Sequence, residues 1–200
     1  MKIVLDAGHG GKDSGAVSGF KLRESDLALE VTLGVRDILE EYKDVEIILT
    51  RDDDFFVPLR ERSAIANEAG ASIFVSIHFN CADSPSANGW EVFSHSAVGE
   101  GANLAKHVGE SHRSLFKDQR ARGHKWANLS VLRRTAMPAC LWEGCFLSNP
   151  LEEAMVTDPS NRRKMSRGIA SGIIKHLSLE QDEYLTVEQR LAQIEKHLNL

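Results

Sequence analysis

The sequence predicts an α/β fold: a mostly parallel, twisted sheet of about six strands, helices on both faces, and a short C-terminal helix. Three observations carry this. Apolar, β-rich runs alternate with helical patterns along the chain. Two of the runs, "KIVLD" (2–6) and "SIFVSIH" (72–78), are almost unbroken, as buried parallel strands are. The composition, 42% hydrophobic and 26% charged over 200 residues, suits one globular domain with a full-sized core.

The elements follow in order. Residues 2–6 read as a buried strand. From Ser25, the residues Leu27, Val31, Val35 and Ile38 recur at helical spacing, with Ser25 as N-cap and Asp26 in the favourable first turn. "VEIILT" (45–50) is rich in β-branched residues and reads as a strand. Pro58 sits where a helix begins, and "LRERSAIANEAG" carries it to Gly70. "SIFVSIH" follows as a strongly apolar strand, and "WEVFSH" (90–95) alternates like an edge strand. Residues 101–116 read as helix. "LSVLR" (129–133) and "ACLWE" (139–143) read as strands around the turn at Met137-Pro138, and 160–177 as an amphipathic helix.

This organisation puts a catalytic-sized domain at 1–177 and a tail at 178–200. "SLEQDEY" (178–184) reads as a polar linker, and "TVEQRLAQIEKHLNL" as a separate short helix. Val187, Leu191, Ile194 and Leu198 form the seam of a short coiled coil. That helix either packs back on the domain or pairs with a second copy of the chain as a homodimer.

Composition also excludes functions. The net charge is −5 with no basic block, which argues against a nucleic-acid partner. No apolar run is long enough to span a membrane. "MKIVLDAGHGG" is too short in its apolar part for a secretory signal, so synthesis in the cytoplasm and later release toward any outside target is expected. Cys81, Cys140 and Cys145 are odd in number and form no CxxC, so neither a disulfide framework nor a zinc ribbon is expected.

The chemistry sits at strand ends. "LDAGHGG" (5–11) places His9 among three glycines that already make the turn. His78 ends one apolar strand and Glu143 ends another, and ligands in open α/β sheets bind at the carboxyl ends of strands. Glu24 stands just before the first helix. Two histidines and one carboxylate form a common zinc set for hydrolysis, with a second carboxylate to move protons. No HExxH is present, which excludes a helix-borne zincin site. Each residue also has a plainer reading: His9 as a loop histidine, His78 as a satisfied core histidine, Glu24 as a helix-terminus charge. Glu143, flanked by Leu141, Trp142, Cys145 and Phe146, resists it, because a buried carboxylate is costly without a partner or a task. The remaining histidines, at 95, 107, 112, 124, 176 and 197, read as surface residues.

Five ordered blocks, "IVLDAGHGGKDSGAV", "RESDLALEV", "LTRDDDFFVPLRERSAIAN", "SIFVSIHFNCA" and "VLRRTAMPACLWEGCFLSNPLEE", resemble the zinc-dependent N-acetylmuramoyl-L-alanine amidases of the Amidase_3 type, over residues 2 to about 177. The resemblance implies one Zn2+ held by His9, Glu24 and His78, with Glu143 as catalytic acid/base. It implies a peptidoglycan substrate cut between N-acetylmuramic acid and L-alanine, as an endolysin or autolysin acting on the cell wall after release. Asn80, two residues past a ligand, is a candidate for orienting substrate. The chain departs from the pattern at Cys145, where glycine is usual, and at Trp142 and Ser14. Asn80 to Val131 leaves room for one strand, one helix and a loop, so no autoinhibitory helix is expected over the metal. Two other readings share this inventory: a zinc peptidase cutting within the stem peptide, and a non-catalytic wall-binding module.

Overall fold

The computed structural model describes residues 1–181. The seam at 187–198, and the pairing expected of it, lie outside the described residues. The elements run β1 (Lys2–Ala7), α1 (Glu24–Leu39), β2 (Glu46–Leu49), α2 (Leu59–Ala69), β3 (Ile73–Asn80), β4 (Trp90–Ser94), α3 (Glu100–Leu115), β5 (Ala121–Trp126), α4 (Ser130–Arg133), β6 (Ala139–Phe146), α5 (Pro150–Thr157) and α6 (Pro159–Leu177). The six strands form one sheet in the order β2-β1-β3-β6-β4-β5. All neighbours are parallel except β4 and β6. The predicted fold class is therefore the observed one.

The two faces of the sheet are covered unequally. On one, α1, α3 and α6 pack over the large core that holds Leu5, Val31, Val75, Leu104, Trp142 and Ile169. On the other, α2 and the short α4 cover a smaller cluster around Val4, Phe74 and Leu141. α3, the long helix between Asn80 and Val131, belongs to the thick side. The thin side is the face that carries the smaller core.

Local signals explain the boundaries that were legible. Pro58 precedes α2, and Gly70 ends it in the left-handed region at φ 62°. α1 begins two residues earlier than expected, so Glu24 is its first residue and Arg23, not Ser25, its N-cap, while the Ser25 hydroxyl is buried without a partner.

Several expectations fail. Residues 129–133 are not a strand. Ser130–Arg133 turn as α4, which lets the adjacent Val131 and Leu132 both face the small core, as neighbouring strand residues cannot. β4 is not an edge strand: β5, "ARGHKW", lies outside it. Residues 178–181, the described part of the expected polar linker 178–184, touch the domain. Leu179 packs on the large core, the Lys43 amide donates to the Glu180 carbonyl at 3.5 Å, and Gln181 bridges to Tyr42.

His112 is not a surface residue either; it is wholly buried in α3. Its ring stacks on Phe116 at 4.6 Å and meets Trp90 and Trp142 edge-on at 5.3 and 5.4 Å. Burial and the nearby Lys164 charge push its pKa down to about 4, against a hydrogen bond with Gln119. The native imidazole is thus neutral while the unfolded one protonates near its ordinary value of about 6.5. Nothing is contributed above that pH, and stability drains as pH falls from about 6.5 to about 4. The span is worth on the order of 3 kcal/mol. Denaturant titrations should show His112→Phe losing this segment of the pH dependence; an unchanged profile would contradict the neutral burial.

Candidate metal centre and active site

β1, β3 and β6 are parallel, so their carboxyl ends lie side by side on the sheet. The turn after β1 carries His9 in the left-handed region at φ 59°. Such a backbone costs a non-glycine residue on the order of 1–3 kcal/mol and persists only where its surroundings over-determine it. Two buried arginines do so. Arg62 donates to the carbonyls of Ala7 at 2.5 Å and His9 at 2.6 Å, and to Asp6 Oδ1 at 2.8 Å. Arg51 donates to the carbonyls of Ala7, Gly8 and Ser25 at 2.9, 2.7 and 2.7 Å. Burial alone would raise the Asp6 pKa; Arg62 and the hydroxyls of Ser76 and Thr50 overcome it and hold the carboxyl below its usual range.

His9, Glu24 and His78 converge on one oxygen. Glu24 Oε1 lies 3.1 Å from His9 Nε2 and 3.0 Å from His78 Nδ1, and accepts the Phe79 amide at 3.0 Å. Glu24 Oε2 accepts the Ala16 amide at 3.0 Å. On its far side, His9 Nδ1 meets Asp13 Oδ2 at 3.0 Å. The glycines explain themselves here: a Cβ on Gly8 would sit 2.4 Å from the His78 ring, and one on Gly15 would sit 2.6 Å from Glu24 Oε2. Burial would raise the Glu24 pKa, but the two imidazoles hold it far below the usual range. Burial would lower the His9 pKa, but Glu24 and Asp13 raise it.

The three side chains offer ligand atoms within 4.8 Å of one another. Two bonds of ~2.0–2.1 Å at a tetrahedral angle separate their ligand atoms by roughly 3.3 Å. The separations of 3.0 and 3.1 Å around Glu24 Oε1 are close to that spacing. Two imidazoles, one carboxylate, and a second carboxylate behind His9 to fix its ring are a donor set that fits zinc.

Glu143 stands in register with His78 on the neighbouring strand, and with Glu91 on the other side. Residues opposite one another in register share a face, so Glu143 points to the thin side with the triad. Its Oε2 is buried without a hydrogen-bond partner. Burial, then the charges of Glu24 and Glu91, push its pKa well above the carboxylate range. His9, Glu24, His78, Asn80 and Glu143 all line one cleft of about 850 Å³, together with Phe56, Val57, Leu59 and Leu129 to Val131. Cys145 does not line it. Its thiol is wholly buried, and burial with the charges of Glu152 and Glu143 pushes its pKa well up, as suits a packed core residue.

Sequence reasoning therefore named the residues that meet in the cleft but missed their supports. Arg51, Arg62 and Asp13 lie inside the resembling blocks, yet a charged residue alone reads as surface.

Comparisons with known proteins agree with this geometry. Residues 3–175 match the family described as N-acetylmuramoyl-L-alanine amidase. The endolysin of Bacillus phage SPP1 is 37% identical over 183 residues, covering 89% of this chain and 66% of that protein. The sporulation-specific N-acetylmuramoyl-L-alanine amidase of Bacillus subtilis is 36% identical, covering 90% of this chain and 69% of that one. The chain thus spans about two thirds of the length of these relatives. Among solved structures, the catalytic domain of CwlV, an amidase from Bacillus (Paenibacillus) polymyxa, superposes with a TM-score of 0.85 at 36% identity, covering 90% of this chain and 99% of that one.

Proposed function

The chain belongs to the N-acetylmuramoyl-L-alanine amidase family, and from that premise we propose that it cuts peptidoglycan between N-acetylmuramic acid and L-alanine, with residues 1–177 as the catalytic domain. The observation that carries this is the meeting, in one cleft, of a His-Glu-His triad with a buried, unpartnered glutamate. Among the described residues no helix is long and apolar enough to cross a membrane.

His9, Glu24 and His78 would hold a single zinc ion. When bound, zinc supplies a Lewis acid that polarises the scissile carbonyl and acidifies water. The protein's own groups do the rest. Asp13 accepts the Nδ1 proton of His9 and fixes the ring with Nε2 facing Glu24. Glu143 accepts a proton from water as its oxygen bonds to the scissile carbon. It returns that proton to the L-alanine nitrogen as the C–N bond breaks, leaving a lactyl carboxylate and a free amine. The raised pKa of Glu143 suits a group that both takes and gives a proton. Asn80, whose amide donates to Glu91 at 2.7 Å and which lines the cleft, would orient substrate.

Digestion of purified peptidoglycan should release new L-alanine amino termini and no new reducing sugar ends. New reducing ends would indicate a glycosidase. New termini within the stem peptide would indicate the peptidase reading, and no product at all the wall-binding module.

A further inference from the structure

On β4 and β5, one strand beyond the cleft-lining Glu143, the sheet holds more positive charge than its own carboxylate can neutralise. Glu91 is 4% exposed. Its Oε1 accepts the Asn80 amide, and its Oε2 accepts both Arg122 Nε at 2.9 Å and the Lys125 ammonium. Burial would raise the Glu91 pKa; Lys125 and Arg122 hold it low, so the carboxylate is ionised and counts as one negative charge. Two cations on one carboxylate leave one positive charge over.

That surplus faces solvent. The side chains of Arg122 and Lys125 are 28% and 39% exposed, while Glu91 beneath them is 5% exposed. Among the described residues the two Nη groups of Arg122 have no acceptor. The guanidinium carbon lies 4.9 Å from the centre of the Phe146 ring. The bulge in the β4–β5 register between Trp90 and Glu91 falls where Arg122 joins Lys125 on the same carboxylate. Asn80 ties the pair to the cleft, since it lines that cleft and shares Glu91 with both cations.

The cleft lining carries carboxylates at Asp6, Asp13, Glu24 and Glu143 and one guanidinium, Arg62, which already donates to Asp6. A substrate carboxylate brought beside the cleft loses water and needs a cation to receive it. In peptidoglycan the residue after L-alanine is joined through its side-chain carboxyl, so its α-carboxyl is free, either as a carboxylate or as an amide.

Resting on the proposed amidase reaction, we infer that Arg122 and Lys125 form an anion subsite for the free α-carboxylate of the residue after L-alanine. They make the enzyme selective for stem peptides in which that group is not amidated. The free fork of Arg122 suits two parallel hydrogen bonds to a carboxylate, and Lys125 adds a third charge-assisted donor.

The test uses two soluble muramyl peptides that differ only in this group, carboxylate against amide. Wild type should cut the carboxylate form with kcat/KM at least about tenfold higher, the scale of one hydrogen bond to a charged group. Arg122→Gln and Lys125→Gln should each raise KM for the carboxylate form by about tenfold and leave the amide form within about twofold. Arg122→Lys should recover part of the loss. Equal losses on both peptides would show a structural role and overturn the inference, as would equal cutting of both by wild type. Should neither peptide yield free L-alanine amino groups, the reaction assignment fails and takes the subsite with it. Cleavage without charge preference sinks the subsite alone.

Discussion

Glu143→Gln is expected to lower turnover by ~10²–10⁴-fold, the range for loss of a general acid–base group, while keeping the fold and the zinc content. Glutamine preserves the shape of the side chain but takes no proton from water. The substitution should not destabilise the protein. Glu143 is buried, its Oε2 has no hydrogen-bond partner, and its pKa is pushed up by burial and by two neighbouring carboxylates. An uncharged amide relieves part of that cost, so thermal midpoints should be unchanged or higher. A variant that loses turnover together with stability or metal would point to a structural role. Near-normal turnover would remove Glu143 from the mechanism.

His9→Ala and His78→Ala should each abolish metal retention and activity together. The triad offers three ligands, and either substitution leaves two. Glu24 then keeps a single imidazole against a carboxylate that burial disfavours. Metal analysis after dialysis should fall from about one zinc per chain to background. Chelation should silence wild type, and added zinc should restore it. Asp13→Ala is the graded comparison. Asp13 meets His9 from the other side of the ring at 3.0 Å, so its loss should weaken metal affinity by ~10–100-fold rather than abolish binding. Full activity in metal-free enzyme would overturn the zinc assignment.

What the sequence disclosed follows from how each element is buried. β1, β3 and β6 lie inside the sheet and read as apolar runs that no other structure suits. α2 announced both its ends through Pro58 and Gly70. β5 was hidden because it is an edge strand whose residues are half-exposed or exposed and polar. α4 was misread because Leu129, Val131 and Leu132 fit either period over so short a run. His112 misled because its helix neighbours Glu110, Ser111 and Arg113 are polar, whereas the rings of Trp90 and Trp142 that enclose it arrive from distant strands. The candidate site was more legible than its frame, since metal-ligating and proton-moving chemistry demands few residue types. Arg51 and Arg62 serve loop carbonyls, and no pattern in the chain advertises a carbonyl.

Those two arginines decide how much a metal held by the triad could contribute to folding. They fasten the backbone around His9 to β1, α1 and the segment before α2 through contacts that involve no metal. Little chain ordering is therefore left for the ion to drive, in contrast to small zinc domains whose folding energy is the metal's own binding energy. Loading and stripping then act on a scaffold that is already complete, as a key turns in a lock that keeps its shape when the key is withdrawn. On the proposed zinc reading, zinc supply would set whether the enzyme works, and would leave whether it survives to the sheet.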